Sequence, residues 1–239
     1  MVTYMIEDPW LSIVMQTNCY NITCNTIEDY SEHREPLRNK ETFFTTVRTQ
    51  VSPDDRLLKL DKTILFVSTI NSYSWTPNDV YSNISNSNVN LYREDDFQDV
   101  INIANGAFTS DRFHNDPRIS KTFADKIKLS WLKANLSQNR ETITLIYTSP
   151  NNKNILGFNS MVVKENSIAI DLISVASEFR RLGVATELIN ASKKLALSRG
   201  LTLTVGTQKS NAANDLYLKN GFVLKESVFI SHDTNTTFQ

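Results

Sequence analysis

In the second half of the chain the hydrophobic period changes in a regular order. Phe97, Val100, Ile101 and Ala104 recur at i, i+3, i+4 and i+7, the pattern of a helix with one face in a core, and Gly106 lies near its end. Phe123, Ile127 and Trp131, at i, i+4 and i+8, lie on one side of a second helix after Ser120, a candidate N-cap. Thr142–Tyr147, Ile155–Lys164 and the apolar run Ile170–Val175 read as strands. Val184, Leu188, Ala191 and Leu195, with Ala185, Ile189 and Ala196 beside them, form a helical stripe that Gly200 is placed to stop. Leu201, Leu203 and Val205 alternate with Thr202 and Thr204, a half-buried strand. A short helix over Ala212–Tyr217 ends at Asn220-Gly221, and Phe222 opens another strand. This order predicts an α/β fold, specifically a mixed α+β sheet.

The first third is less regular. Trp10–Met15, Phe43–Val47 and Leu57–Leu60 are short apolar runs, and 61–70 reads as a strand. Asn71–Asn90 is rich in Asn and Ser around Trp75, Pro77 and two tyrosines, the composition of a loop or connection. Two domains are therefore expected: a smaller N-terminal α/β domain over 1–88, without chemistry of its own, and a second over 89–239. Such a first domain commonly serves as a pocket wall or an interface, so a homodimer is the expectation.

Composition narrows the partners. The net charge of −1 argues against nucleic acid or another polyanion. No run approaches 18 apolar residues, so no membrane span is expected, and Met1–Ile13 carries Glu7, Asp8 and Pro9 where a signal peptide would be apolar. Two cysteines, Cys19 and Cys24, and three scattered histidines, His33, His114 and His232, lack metal-ligand spacing. A reduced, cytoplasmic protein without a metal is the expectation.

The segment Arg180-Arg181-Leu182-Gly183-Val184-Ala185 joins a strand to a helix start. A helix N-terminus leaves its first N–H groups unpaired and carries about half a positive charge, so anions bind there. Glycine and alanine let a ligand approach the backbone, and arginines add charged donors. The spacing Arg180, Gly183, Ala185 suits a pyrophosphate; an ordinary basic β–α connection would read the same way.

That loop lies in the order strand, R-x-x-G-x-A, helix, strand, Asn211, then Leu216-Tyr217-Leu218-Lys219-Asn220-Gly221-Phe222. In this respect the chain resembles the GNAT superfamily of acyl-CoA-dependent N-acyltransferases, over about 90–239 and most strongly over 168–222. The resemblance implies that acyl-CoA is the donor, with its pyrophosphate on the amides of Arg181–Thr186. Its pantetheine arm would pair with Ile173, Ser174 and Val175, where strands 168–175 and 201–206 splay. It implies direct attack by an amine, with Tyr217 protonating the leaving thiolate; a core aromatic would occupy the same place. Asn211 matches the family's cofactor-binding asparagine, although Tyr217 follows one residue early, so that Ser210 competes for the role. No carboxylate precedes the asparagine, where some relatives carry one. Asp171 is the candidate base, through water, with a strand-end polar residue as its other reading.

The segment 107–116 reads A-F-x-x-x-R-F-x-x-D and precedes a Trp-bearing helix. In this it resembles the bacterial nucleotide-linked amino-sugar N-acyltransferases, which also carry an extra N-terminal domain. The resemblance implies that Phe108, Arg112, Phe113, His114 and Asp116 border the acceptor: Arg112 or His114 on a phosphate or hydroxyl, Asp116 on the amine. Alternatively Phe108 and Phe113 are core, and Arg112 and Asp116 an ion pair closing the loop. The implied function is transfer of an acetyl or 3-hydroxybutyryl group to the amino group of a dTDP-linked deoxyamino sugar, for lipopolysaccharide O-antigen or another surface glycan. The alternatives are a protein or peptide N-acetyltransferase and a non-catalytic acyl-CoA-binding protein.

Overall fold

The computed structural model describes residues 5–54, 58, 61–77, 88–137, 141–151 and 154–239. Strands β1 (Met5–Glu7), β2 (Asn18–Cys24), β3 (Phe43–Thr49), β4 (Ile64–Trp75), β5 (Val89–Leu91), β6 (Thr142–Thr148), β7 (Ile155–Lys164), β8 (Ser167–Val175), β9 (Thr202–Gln208) and β10 (Val223–Thr234) form a single sheet. Its order is β1-β2-β3-β10-β4-β9-β8-β7-β6-β5. The pairs β2/β3 and β8/β9 are parallel and the others antiparallel, so the sheet is mixed, as expected.

Helices α1 (Pro9–Met15), α2 (Ile27–His33), α3 (Glu35–Arg38), α4 (Phe97–Ala104), α5 (Lys121–Leu136), α6 (Val184–Ser198) and α7 (Ala213–Lys219) cover it. The stripe of α6 buries Val184, Leu188, Ile189 and Ala196 against Met161, Ile168, Ile170, Leu203 and Val205. Val100 and Ala104 of α4 and Leu132 and Leu136 of α5 cover Ile146, Phe158 and Leu172. Ser120 caps α5 as expected, its hydroxyl accepting from Phe123 N at 3.2 Å. Gly200 adopts φ +65° after α6, the left-handed conformation that ends helices. At Gly157 of β7 a Cβ would sit 2.9 Å from the Ser174 carbonyl oxygen and 3.1 Å from Val184 Cγ1. Glycine there lets the first turn of α6 lie on the sheet, which sets where that helix points.

Two expectations are revised. The Asn/Ser-rich segment is not loop from residue 71: β4 continues to Trp75, and Tyr73 and Trp75 are buried in the α6 core. Residues 78–87 of that segment, and Leu57–Leu60 apart from Leu58, lie outside the described residues. The division at 88/89 does not divide the sheet, because β4 sits between β10 and β9 and pairs with both. Cys19 and Cys24 are buried free thiols; burial pushes the first up to about 12 and the second to about 11, which leaves both unreactive at neutral pH.

Candidate active site

The site begins where two strands part. Parallel pairing of β8 with β9 runs from Ser167/Thr202 to Ile170/Val205 and stops. At that point β8 shifts register against β7, from Met161/Ile170 to Ser160/Leu172, leaving Asp171 as the extra residue of a bulge. Beyond it, Ile173–Val175 pair only with β7, so the β9-facing peptide groups of β8 have no strand partner. A cavity of about 520 Å³ opens in the gap. Asp171, Ile173, Ser174 and Val175 of β8 and Gly206, Thr207 and Gln208 of β9 form its walls. The expected splay is therefore present, at the expected strands.

Arg180 and Ala185 border this cavity at the start of α6. The loop makes two left-handed turns, at Arg181 (φ 66°) and at Gly183 (φ 86°). A Cβ at Gly183 would meet nothing within 4 Å. What selects glycine there is therefore the backbone conformation, rather than crowding by the protein. Among the described residues neither Arg180 nor Arg181 forms an ion pair, and both are exposed at a helix N-terminus. The Arg180 Nε donates to the Val175 carbonyl at 3.1 Å, which occupies one of the strand groups expected to be free. Leu182 is exposed, Thr186 is half-buried and Val184 is core.

Tyr217 lies at the same cavity on α7. Its ring packs on Phe222 at 5.6 Å and Tyr73 at 6.1 Å, and burial pushes its hydroxyl above the ordinary range. The start of α7 is held by Asn214, which accepts from the Tyr73 hydroxyl at 2.7 Å and from Asn71 Nδ2 at 3.0 Å. Asn211 lines the cavity, while Ser210 is exposed and does not. Its Oδ1 accepts from Ala213 N at 2.9 Å and opens the helix. Asp171 is no solvent-facing strand end: its Oδ2 accepts from Trp131 Nε1 and Asn135 Nδ2, each at 2.7 Å. Oδ1 has no partner among the described residues.

The acceptor loop is arranged differently from expectation. Phe108 lines the cavity, with Thr109, Ser110 and Asp111. Phe113 is fully buried against Phe44 and His232, a core residue. Asp116 is also fully buried and pairs with Arg118, not Arg112, at 2.8 Å, and accepts from His232 Nδ1 at 2.9 Å. His114 lies between Asp111 (2.8 Å) and Asp125 (3.2 Å), and the Asp111 hydrogen bond raises its pKa. Arg112 turns away from the cavity, its guanidinium 4.4 Å over the Phe113 ring. These four side chains therefore do not line the cavity; Phe113 and Asp116 must face inward because β3 and β10 close over them.

Two charged residues of the cavity were missed. Asp111 and Lys128 both line it, with Nζ 3.8 Å from Asp111 Oδ2 and 4.6 Å from the Trp131 ring. Burial pushes the Lys128 ammonium down, while the His114 bond and the Lys128 charge outweigh burial and hold the Asp111 carboxyl below its usual range. A signal existed: Lys128, Trp131 and Asn135 recur at i, i+3 and i+7, a polar and aromatic stripe on one face of α5. Among the described residues no three His, Cys, Asp or Glu side chains gather as metal ligands, and no helix is long and apolar enough to cross a membrane.

An opened strand pair, a helix N-terminus with free arginines and a buried phenol at the head of the gap can bind an extended phosphorylated thioester and donate a proton to its sulfur. The chain is similar in sequence or in fold to known proteins. It is 26% identical over 139 residues to a spore coat polysaccharide biosynthesis protein of Bacillus subtilis, a match covering 57% of this chain and 47% of that protein. The matched stretch thus spans about half the length of that relative. A functionally unknown conserved protein from Staphylococcus epidermidis superposes with a TM-score of 0.70 at 14% identity, over 94% of this chain and 88% of that one. A GCN5-related N-acetyltransferase from Sphaerobacter thermophilus superposes at 0.59 and 12% identity, over 99% and 77%. The acetyltransferase (GNAT) family profile matches residues 98–222, which include α4, the bulge, the Arg180–Ala185 loop and Tyr217, and the chain belongs to that family.

Proposed function

We propose that the protein transfers an acyl group from acyl-CoA to the amino group of a dTDP-linked deoxyamino sugar, in the cytoplasm, for a bacterial surface glycan. The observation that carries the donor half is the 520 Å³ cavity at the splay, where the start of α6, the unpaired edge of β8 and Tyr217 meet. The acceptor half is supported by the relative in spore coat polysaccharide biosynthesis and by the polar lining that Ser110, Asp111 and Lys128 give the other end.

The pantetheine arm would extend β8 as a strand beside Ile173, and the pyrophosphate would lie on the amides of Arg181–Thr186 between the two arginines. The acceptor amine first loses its ammonium proton to water held by the Asp171 carboxylate. Its nitrogen then attacks the thioester carbonyl, the N–C bond forms as the C–S bond breaks, the Tyr217 hydroxyl gives its proton to sulfur, and the surplus proton on the new amide nitrogen leaves to water, from which Tyr217 is reprotonated. Residues 1–88 act through β4 as a wall of the site, since Asn71 and Tyr73 hold α7.

Gly183→Val is expected to weaken acetyl-CoA binding about tenfold in a calorimetric titration. A β-branched side chain opposes φ 86° by roughly 1–2 kcal/mol, and the amides behind it shift. An unchanged dissociation constant would remove the loop from the phosphate site. The whole reading is tested by thiol release from acetyl-CoA and 3-hydroxybutyryl-CoA, each with a panel of dTDP-amino sugars and a control peptide. Sugar-dependent release is expected. Release with peptide alone would make the protein a peptide acetyltransferase, and CoA binding without any release would leave a non-catalytic binding protein.

A further inference from the structure

Arg112 and Arg48 are half-buried cations that make no direct ion pair among the described residues; the Asp8 charge acts on both from farther off, and that of Asp111 on Arg112. The Arg112 Nε is buried with no partner, and its guanidinium makes no hydrogen bond or ion pair among the described residues beyond its place over Phe113. Arg48, on β3, donates from Nη1 to Asn21 Oδ1 at 2.8 Å and pairs with no described carboxylate. The nearby carboxylates are already engaged. Asp8 accepts from Leu11 N at 2.9 Å and Asn21 Nδ2 at 2.8 Å, and Asp111 from Phe113 N at 2.8 Å and His114. Burial and the neighbouring Arg48 push the Arg112 guanidinium down to about 10. A partly buried charge with no direct ion pair is costly, and two of like sign cost more.

Their position connects them to the acyl-transfer cavity. Arg48, Ile230 of β10 and Ser68 of β4 are cross-strand partners and share a face. Ile70, two residues along β4 from Ser68, pairs with Gln208, which lines the cavity. Arg48 therefore stands three strand spacings from the cavity wall, roughly 14 Å at the backbone, and its own side chain covers part of that. Arg112 directly follows Asp111, also at the cavity, and Asn115 ties the same loop over β4 by donating to the Val67 carbonyl at 3.2 Å. Along this row the Ser68 Oγ and Gln208 Oε1 are buried without partners among the described residues. A second cavity of about 650 Å³ also meets the site, at Ala107 and Arg180, but carries Asp99 and Glu178, whose charge repels a phosphate.

We infer that Arg48 and Arg112 form a phosphoryl-binding subsite adjoining the acyl-acceptor end of the cavity, which takes the diphosphate of a nucleotide-linked acceptor. This rests on the acceptor class proposed above. The amino sugar occupies the space at Asp111, Lys128 and Gln208, and its diphosphate neutralises the two arginines under the 109–115 loop.

The test uses the protein saturated with CoA, so that the α6 loop is filled, and inorganic pyrophosphate as the probe. Pyrophosphate is expected to raise the thermal midpoint of the wild type and to leave that of Arg48→Gln and Arg112→Gln unmoved. Without pyrophosphate, Arg112→Gln is expected to melt at or above the wild-type midpoint, because it removes a partly buried charge that no carboxylate contacts directly; Arg48→Gln serves should that variant fail to fold. In turnover, either variant is expected to raise the KM for the nucleotide-linked sugar about 10- to 100-fold. The KM for acyl-CoA, and for the same amino sugar without its diphosphate, stays as it was. No pyrophosphate response in the wild type, or an equal response in both variants, overturns the subsite. A response that depends on the arginines, with no nucleotide sugar turned over, keeps the subsite and overturns the proposed acceptor. Sugar turnover indifferent to both arginines does the reverse.

Discussion

Tyr217→Phe is expected to lower turnover by roughly 10²- to 10⁴-fold while leaving the dissociation constant of acyl-CoA nearly unchanged, the signature of a lost proton donor. The substitution is clean. The hydroxyl makes no hydrogen bond among the described residues, and the ring keeps its contacts with Phe222 and Tyr73, so the fold loses little. Burial raises the phenol above its ordinary value, so it stays protonated well past neutral pH and always offers a hydrogen to the sulfur. Because only the protonated form donates, ionisation would cost activity as pH rises. With the value raised, the alkaline limb of the pH profile belongs to another group and persists in the variant. Normal turnover by the Tyr217→Phe variant would mean that the thiolate departs unaided or is protonated elsewhere.

Asp116→Ala is expected to destabilise the protein by about 3–5 kcal/mol, a fall in melting temperature of roughly 6–20 °C for a chain of this length. Asp116 is fully buried and takes both Nε (2.9 Å) and Nη2 (2.8 Å) of Arg118, the Arg118 amide at 3.0 Å and His232 Nδ1 at 2.9 Å. Arg118 in turn donates to the carbonyls of Thr63, His232 and Thr234, joining β4, β10 and the loop before α5. Removing the carboxylate strands that cation. At a temperature where the variant is folded, its KM for the acceptor should match the wild type; an acceptor defect with normal stability would return Asp116 to the amine-binding role it does not occupy here.

The same cluster sets a direction for pH. Burial lowers the His232 pKa from 6.5 to about 4, so the folded protein holds the imidazole neutral while the unfolded chain protonates it. That contribution is complete above about pH 6.5 and is lost as pH falls toward 4. At Asp116 burial pushes the carboxyl up, but the bonds from His232 and Arg118 outweigh it and hold the group below the ordinary carboxylate range, which adds a further loss below about pH 4.

Much of the donor side was legible in the chain because it is local. A helical stripe, a left-handed glycine and a strand that ends in a polar turn are properties of neighbouring residues. So α4, α5 and α6, and the loop Arg180–Ala185, fall where their periodicity and caps place them. The acceptor side was not legible. A loop reading Phe-His-Asn-Asp announces polar chemistry, but which side chains turn into the cavity depends on β3 and β10, which come from opposite ends of the chain. Phe113 and Asp116 face that pair, and Asp111 and Lys128 are left to line the site.

The supposed boundary near residue 88 does not divide the sheet, for the same reason. Composition falls toward Asn and Ser after residue 70, yet Asn71–Trp75 find their hydrogen-bond partners on β9 and β10, more than 120 residues later. By itself the sequence determined the elements of the second half, their order, the left-handed turn at Gly183 and the family to which the chain belongs, because backbone conformation and helix ends respond to nearby residues. Only the tertiary structure decided that the sheet is one, that Asp171 sits on a bulge facing Trp131 and Asn135, and that Arg112 turns away from the cavity toward Arg48. Strand pairing and side-chain burial are set by contacts between segments far apart in the chain, and no local pattern encodes them.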